Sequence, residues 1–435
     1  MRTFIQGLAL VALSAVYTLG ANAEDSRAEP VIYVLAGALL DVESGKTLRD
    51  QAMIIIGDRI SKIGSIPEVK RPSGSTLIDL SDFTVLPGLI DAHTHLNGNP
   101  NLHGYRALEV SAARTAIYGV IGAKATLMAG FTTVRNVGAA HYADVALRDA
   151  IEAGEIIGPR MKVSGPSLGM TGGHCDSNLL PPRFEQRSQG VADGPWAVRA
   201  KVRKNVKYGV DLIKFCATGG VLSKGTEVGA VQYTLEEMIA LVDEAHAHGR
   251  KVAAHAHGTE GIKRAIRAGV DSVEHVSLID EEGLLLATMA GTALVMDIYV
   301  DDYIIAQGEL AGILPESLEK SRQVATNMRE NLRRAHEAGA NIVFGTDSGV
   351  YPHGDNAIQF SYMIRFGMSP LDAIRSSTLK AAVLLDMATD VGLIAPGYFA
   401  DLIAVDGNPL LDITLLEDVQ VVVKGGRVIK GLELR

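Results

Sequence analysis

Short β-prone runs separated by turn formers open and close this chain, whereas its middle alternates strand-like and helix-like patterns. The terminal runs fall at residues 31–35, 52–56, 60–63, 401–405 and 419–423. Glycine-containing turns such as Ser44-Gly45 lie between the first runs, and 424–427 predicts a hairpin with residues 428–429. The simplest arrangement places both chain ends in one small, β-sandwich-like domain.

The segment between the ends, about 83 to 390, carries eight apolar β-prone runs with helical patterns between most of them. The runs lie at 84–92, 131–137, 160–165, 211–217, 251–255, 272–275, 292–298 and 341–346. One helix opens with the capping box Thr234 to Glu237 and is predicted to run to about His248. Eight alternating units predict an α/β fold with a (β/α)8 TIM barrel; a doubly wound open sheet is the alternative.

The first residues indicate a signal peptide rather than part of the fold. Arg2 precedes an apolar stretch, residues 4–19, and Ala21-Asn22-Ala23 has the small-x-small form of a cleavage site. The stretch is shorter than the roughly 20 residues of a spanning helix, although an uncleaved anchor is the alternative. We expect a periplasmic or secreted protein with no membrane association after cleavage. The predicted divisions are a signal peptide at 1–23, a discontinuous β-domain at 24–82 and 391–435, and a barrel at 83–390.

The charge composition argues against a nucleic-acid partner. The net charge is −9, from 41 basic and 50 acidic side chains, and no basic run or stripe appears, so nucleic acid is not an expected partner. The 435 residues suffice for a barrel of about 250 residues with a satellite domain. Cys175 and Cys216 do not make a disulfide framework, and we take both as free, although export would permit one bridge.

Polar side chains end several of the predicted barrel strands, where the chemistry of such barrels resides. His93 and His95 are two apart in an extended segment, so they point the same way and can share a metal. Lys214 lies in an apolar run, where an unpaired ammonium costs several kcal/mol. A buried ion pair explains such a lysine; so does carboxylation by CO2, which gives a carbamate able to bridge two metals.

Three more strand ends complete the set. His255, His275 and Asp347 end the fifth, sixth and eighth runs. Imidazole and carboxylate donors suit zinc, manganese or nickel. The sequence therefore predicts a metal centre on one face of the barrel.

These residues, with the Pro-Gly-x-Ile-Asp-x-His-x-His form of 87–95, resemble the signature of the binuclear amidohydrolase superfamily. Within it the chain resembles Xaa-Pro dipeptidases (prolidases), Xaa-Arg/Lys carboxypeptidases and ochratoxin-hydrolysing amidases. The segments 170–174, 255–258 and 346–354 support that narrower resemblance.

The resemblance implies two divalent metals, with zinc as the expected ion, a bridging carboxylated Lys214, and a homo-oligomer. The implied ligands are His93, His95, Lys214, His255, His275 and Asp347. A metal-bridging hydroxide would attack the amide of a dipeptide, an N-acyl amino acid or an ochratoxin-type small molecule and release its C-terminal residue. Asp347 would transfer the proton, and His174 would hydrogen-bond the developing oxyanion.

The roles of several histidines and aspartates, and the function itself, each have an alternative interpretation. His174 is a catalytic candidate or an ordinary loop histidine, and His257 and His353 are candidate substrate contacts. Asp301 and Asp302 either receive a basic side chain or are solvated loop acids. The competing functions are a cyclic-amide or imidazolone hydrolase on the same site and a non-catalytic secreted binding protein.

Overall fold

The computed structural model describes residues 29–431, so the predicted signal peptide lies outside the described residues. The strands are β1 Val31–Asp41, β2 Lys46–Ile56, β3 Arg59–Ser65, β4 Thr76–Pro87, β5 Leu89–Thr94, β6 Phe131–Asn136, β7 Arg160–Val163, β8 Leu212–Cys216, β9 Lys251–Ala256, β10 Ser272–His275, β11 Ala293–Val295, β12 Ile342–Val343, β13 Leu402–Val405, β14 Val421–Lys424 and β15 Arg427–Lys430. The helices are α1 Ala112–Met128, α2 Ala143–Glu152, α3 Pro195–Lys207, α4 Leu235–Ala247, α5 Thr259–Ala268, α6 Glu281–Ala290, α7 Val300–Ala311, α8 Pro315–Glu337, α9 Ile358–Arg365, α10 Pro370–Ser376 and α11 Leu379–Leu384.

Strands from both ends of the described chain form one seven-stranded sheet, in the order β15-β14-β13-β4-β1-β2-β3. The predicted C-terminal hairpin is confirmed, since β14 and β15 pair antiparallel. A bridge between Arg59 of β3 and Phe399, just before β13, brings an outer strand of this sheet near its middle. The predicted β-sandwich-like domain is not confirmed, because the described strands form a single curled sheet. The proposed domain boundaries stay a prediction.

The eight central strands form two parallel sheets, β5-β6-β7 and β12-β11-β10-β9-β8. Single parallel bridges join their edges, at Thr94 with Ser348 and at Leu168 with Phe215. The strand order follows a TIM barrel, but the described strands do not form one continuous closed sheet. The largest apolar core packs the helices onto these strands, with Phe131, Phe215 and Phe344 among its members.

The chain passes from the seven-stranded sheet to the parallel sheets at Gly88. Its amide donates to Asp401, beside β13, at 2.9 Å, whereas the next amide, of Leu89, donates to Gly130, beside β6, at 3.0 Å. A Cβ atom on Gly88 would lie 2.1 Å from Oγ1 of Thr132, so the neighbouring strand leaves room for glycine alone. The predicted run at 84–92 is therefore wrong as one strand and divides into the end of β4 and the start of β5.

The helix predicted after Thr234 is confirmed with its capping box, since Thr234 and Glu237 exchange hydrogen bonds and His248 follows as the C-cap. Among the helices of residues 29–431, none combines the length and the apolar character that crossing a membrane requires.

Candidate metal centre

All six predicted ligands line one cavity of about 310 Å3 at the carboxyl ends of the parallel strands. Four lie on strands: His93 on β5, Lys214 on β8, His255 on β9 and His275 on β10. The other two lie in loops, His95 after β5 and Asp347 after β12. Successive parallel strands deliver their ends to the same edge of a sheet, which is why residues more than 250 positions apart share this cavity.

Asp347 lies between His93 and His95 at the end of β5. Its Oδ1 is 3.3 Å from Nε2 of His93 and 3.2 Å from Nε2 of His95. The ligand atoms of His93, His275 and Asp347 lie within 4.8 Å of one another. One cation could therefore contact donors from three strand ends at once.

A second group of imidazoles lies beside the first. The ligand atoms of His255, His257 and His275 also lie within 4.8 Å of one another, and His257 stacks on His275 with 4.7 Å between ring centroids. Nδ1 of His257 lies 2.7 Å from the Ser277 hydroxyl. His257, predicted as a substrate contact, is thus buried next to two predicted metal ligands.

Two of the predicted ligands have buried atoms without a protein partner. Among residues 29–431, neither Nζ of Lys214 nor Nε2 of His255 has a hydrogen-bond partner. Burial of such atoms is costly unless something satisfies them. A divalent cation and a carboxylated lysine would satisfy both, so the donors fit the metal that the resemblance implies.

Burial also sets the charge state of these groups. It lowers the pKa of Lys214 to about 8 and holds the pKa values of His255 and His275 well below the usual range. Burial alone would raise the pKa of Asp347, but His93 and His95 hold it well below the usual aspartate value. His255 and His275 are therefore neutral imidazoles and Asp347 is an ionised carboxylate, the forms that bind metals. Despite burial, by contrast, Asp347 and Glu274 raise the pKa of His93 to about 9.

A buried ion pair supports His93 from behind. Nδ1 of His93 lies 3.0 Å from Oε2 of Glu274, and the Arg135 guanidinium donates to both oxygens of that carboxylate at 2.8 and 2.9 Å. Arg135 also donates to the Ser272 hydroxyl at 2.9 Å. Burial would raise the pKa of Glu274, but Arg135 and His93 hold it far below the usual range.

A second carboxylate supports His275. Asp297 Oδ2 lies 2.8 Å from Nδ1 of His275, which leaves Nε2 of that ring directed away from the carboxylate. His275, Val276 and Asp347 all have positive φ angles, of 70°, 59° and 59°. Left-handed backbone at three non-glycine residues costs energy that the surrounding contacts must offset, as is frequent at functional sites.

The two cysteines form a disulfide, so the expectation that both are free is wrong. Cys216 ends β8, and Cys175 lies in a long loop whose path over the strand end is not visible in the sequence. The loop also brings His174 to the centre, where its ring stacks on His255 with 4.1 Å between centroids. Burial lowers the pKa of His174 to about 3, so its imidazole is neutral.

The remaining candidates lie further from the centre. His353 is half-buried behind Gly98, whose carbonyl lies 3.3 Å from its Nε2, and the structure does not bring it to the cavity. Asp301 and Asp302 lie in α7 and face protein partners: Asp301 accepts from the Ser321 hydroxyl, and Asp302 pairs with Arg329. Neither is a solvated loop acid.

Sequence reasoning missed four side chains of the centre. Glu274, Arg135 and Asp297 support the ligands, and His103 lines the cavity with Nε2 3.1 Å from the Val350 carbonyl. The argument applied to Lys214, a charge within an apolar strand, would have identified Arg135 and Glu274. No comparable signal marks His103.

Comparison with known proteins agrees with this geometry. The amidohydrolase family model matches residues 84–429. The ochratoxinase of Aspergillus niger is 32% identical over 427 residues, which cover 93% of this chain and 88% of that protein.

Two solved structures are similar over nearly the whole described chain. A Xaa-Pro dipeptidase with bound methionine in the active site is 38% identical, with a TM-score of 0.85, and the match covers 92% of this chain and 100% of that one. A prolidase complexed with N-methylphosphonate-L-proline is 34% identical, with the same TM-score and coverage. The resemblance inferred from the strand-end residues is thereby confirmed, and the chain belongs to the amidohydrolase family.

Proposed function

We propose that this protein is a binuclear metallohydrolase that releases the C-terminal residue from dipeptides or N-acyl amino acids. The observation that carries the proposal is the convergence of four imidazoles, one lysine and one aspartate on a single cavity. Its volume, about 310 Å3, lies at the lower end of the range for small-molecule sites. The similar proteins include a Xaa-Pro dipeptidase, a prolidase and an ochratoxinase, which favours open-chain amides as substrates.

Two divalent cations, with zinc as the first candidate, are the proposed cofactors. His93, His95 and Asp347 would hold one, His255 and His275 the other, and a carboxylated Lys214 would serve both. When bound, such cations lower the pKa of water and polarise the substrate carbonyl. We further propose that the eight central strands act as one barrel that holds these ligands rigidly.

Lys214 has the properties that carboxylation requires. Burial lowers the pKa of Lys214 to about 8, so near neutral pH a minor fraction of the molecules has Lys214 as the neutral amine, the form that reacts with CO2. The Nζ lone pair adds to the carbon of CO2, and the nitrogen loses a proton to solvent water, which leaves a carbamate anion. The anion replaces an unpartnered buried amine by a charged ligand.

Asp347 would transfer the proton of the attacking water, and His174 would stabilise the oxyanion by a hydrogen bond. Asp347 is ionised and accepts the proton of the attacking water, then passes it to the nitrogen of the leaving amine. His174 is neutral and donates an N–H to the carbonyl oxygen as charge develops on it. His257 stays a candidate contact to the substrate.

The test is a substrate screen with a metal count. Purified protein is offered Xaa-Pro, Xaa-Arg and Xaa-Lys dipeptides, N-acyl aromatic amino acids, and cyclic amides including an imidazolone. We expect cleavage of open-chain amides, about two metals per chain by elemental analysis, and loss of activity with a chelator that added zinc restores. Opening of cyclic amides alone would favour the alternative hydrolase, and no turnover with both metals bound would contradict the proposal.

A further inference from the structure

A disulfide joins the loop that carries His174 to the end of β8. Cys175 follows His174, and Cys216 is the last residue of β8, with 5.9 Å between their Cα atoms. Both cysteines line the cavity that Lys214 also lines. The crosslink is therefore part of the wall of the candidate active site.

The loop has little regular structure to hold it in place. Across residues 164–194, all of which the structure describes, the one helical turn is Pro182–Phe184. Several hydrogen bonds hold the loop to itself, such as that from the Thr171 hydroxyl to Asp193 at 2.6 Å. Its early part follows β8, since the Leu168 amide donates to the Lys214 carbonyl at 2.8 Å. The disulfide adds a covalent link beside His174 itself.

His174 occupies a narrow slot. One side of its ring stacks on His255, and a Cβ added to Gly220 would lie 2.5 Å from the ring on another side. The His174 amide donates to Oε1 of Gln232 at 2.9 Å. The ring can keep this place only while the loop backbone stays close to β8 and to the Gly220 segment.

We propose that the Cys175–Cys216 disulfide is a positioning crosslink that keeps His174 against His255, and that its reduction lowers turnover by releasing the loop. The inference rests on the proposed function, in which His174 contacts the reacting carbonyl. A phosphine reductant breaks the S–S bond with one water, giving two thiols and the phosphine oxide, so atoms and electrons balance. An oxidising compartment, which the sequence predicts for this protein, keeps the bond formed.

The test compares oxidised and phosphine-reduced wild type with the Cys175→Ser/Cys216→Ser variant, each also in a His174→Ala background. We expect reduction or the double substitution to lower kcat by about 10- to 100-fold, the scale expected for small misplacements of a catalytic group. Metal content should stay unchanged, and the reductant should not affect the double-serine variant. In the His174→Ala background, loss of the crosslink should change kcat by no more than about twofold.

Three results would overturn the inference. One is unchanged wild-type kcat after mass spectrometry verifies complete reduction. Another is an equal loss of kcat in the presence and absence of the His174 side chain, which would indicate general destabilisation. The third is free thiols at both positions in protein purified from an oxidising compartment.

Hydrogen exchange separates this inference from the proposed function. Peptides covering 168–178 should exchange faster after reduction, whether or not any substrate is found. Faster exchange in a protein that cleaves no amide would contradict the proposed function and the effect on turnover, and would leave only the crosslink's hold on the loop supported. Robust cleavage with no change in exchange or kcat on reduction would support the proposed function and overturn the inference about the crosslink.

Discussion

The carboxylate of Glu274 lies 3.0 Å from Nδ1 of His93, on the side of the ring away from Asp347. This contact favours a proton on Nδ1 and leaves Nε2, which faces Asp347, as the nitrogen that would bind the proposed metal. Arg135 holds the carboxylate ionised from the other side. Glu274, the neighbour of His275 on β10, thus orients the imidazole of His93 on β5.

Glu274→Gln should weaken metal binding by about 10- to 100-fold, the cost typical of losing a partner behind a metal-bound histidine. The substitution keeps the side-chain size but removes the charge that both His93 and Arg135 face. Metal affinity is measured by competition with a chromophoric chelator, with a thermal melt to monitor folding. The matched control is Glu282→Gln, an exposed glutamate of α6 paired with Lys263. Equal affinities in the two variants would contradict this role.

Lys214→Ala should lose most metal and activity, because it removes the proposed bridging ligand. Short carboxylates such as acetate or propionate should restore part of both by occupying the space of the carbamate. The measurements are metal content and kcat across a carboxylate titration. Lys124→Ala, on the exposed face of α1, serves as the control. A high-resolution map with an unmodified amine beside occupied metals would exclude carboxylation.

The sequence predicted which side chains share the cavity better than it predicted the residues around them. Strand alternation and the common edge of parallel strands are local rules, so His93, His95 and the later strand ends could be assigned to one centre. The pairing of Arg135 with Glu274 and the bridge between Cys175 and Cys216 depend on how distant segments meet. A charge within an apolar strand marks Arg135 and Glu274 individually, but no local pattern shows which distant residues pair.

The path of the chain near Gly88 shows a second limit. Residues 84–92 are one apolar run in the sequence; the Pro87-Gly88 pair within it indicates a break, but not that the chain changes sheet there. The change is decided by hydrogen bonds to Asp401 and Gly130, which lie in different parts of the fold. The curled form of the terminal sheet depends on similar distant contacts, including that of Arg59 with Phe399.

Asp301→Asn should stabilise the protein increasingly as pH rises from 5 to 8. Burial raises the pKa of Asp301 to about 7, so the folded state binds a proton that the unfolded state has already released. The free energy of unfolding of the wild type therefore falls as pH rises from the unfolded pKa towards 7, and asparagine removes that dependence. The gain should be at most a few kcal/mol, or several degrees in Tm.

The adjacent Asp302 supplies the control, because it pairs with Arg329 and accepts from the Tyr362 hydroxyl. Asp302→Asn should lower Tm across the same pH range. The measurement is the Tm of both variants and of wild type in thermal melts at pH 5, 6, 7 and 8. A constant difference between Asp301→Asn and wild type would show that Asp301 does not titrate differently in the folded state.

Asp347→Asn should lower kcat by about 10²-fold or more while much of the fold is kept, since the two side chains have nearly the same size. The loss is expected because asparagine cannot accept the proton of the attacking water. The folded-state pKa of Asp347 is depressed, so its contribution is present above that pKa and is lost as pH falls through it. The wild-type rate profile should therefore have an acid limb that the variant lacks.

Metal content must be measured in the same samples, because losing a ligand would imitate losing a proton acceptor. Asp355→Asn, an exposed aspartate in the same loop region, should keep wild-type turnover. If Asp347→Asn retains both metals and near-normal kcat, the proton passes through another group. If it retains both metals and loses turnover together with the acid limb, the carboxylate between His93 and His95 is the acceptor, since the imidazoles around it are unchanged in that variant.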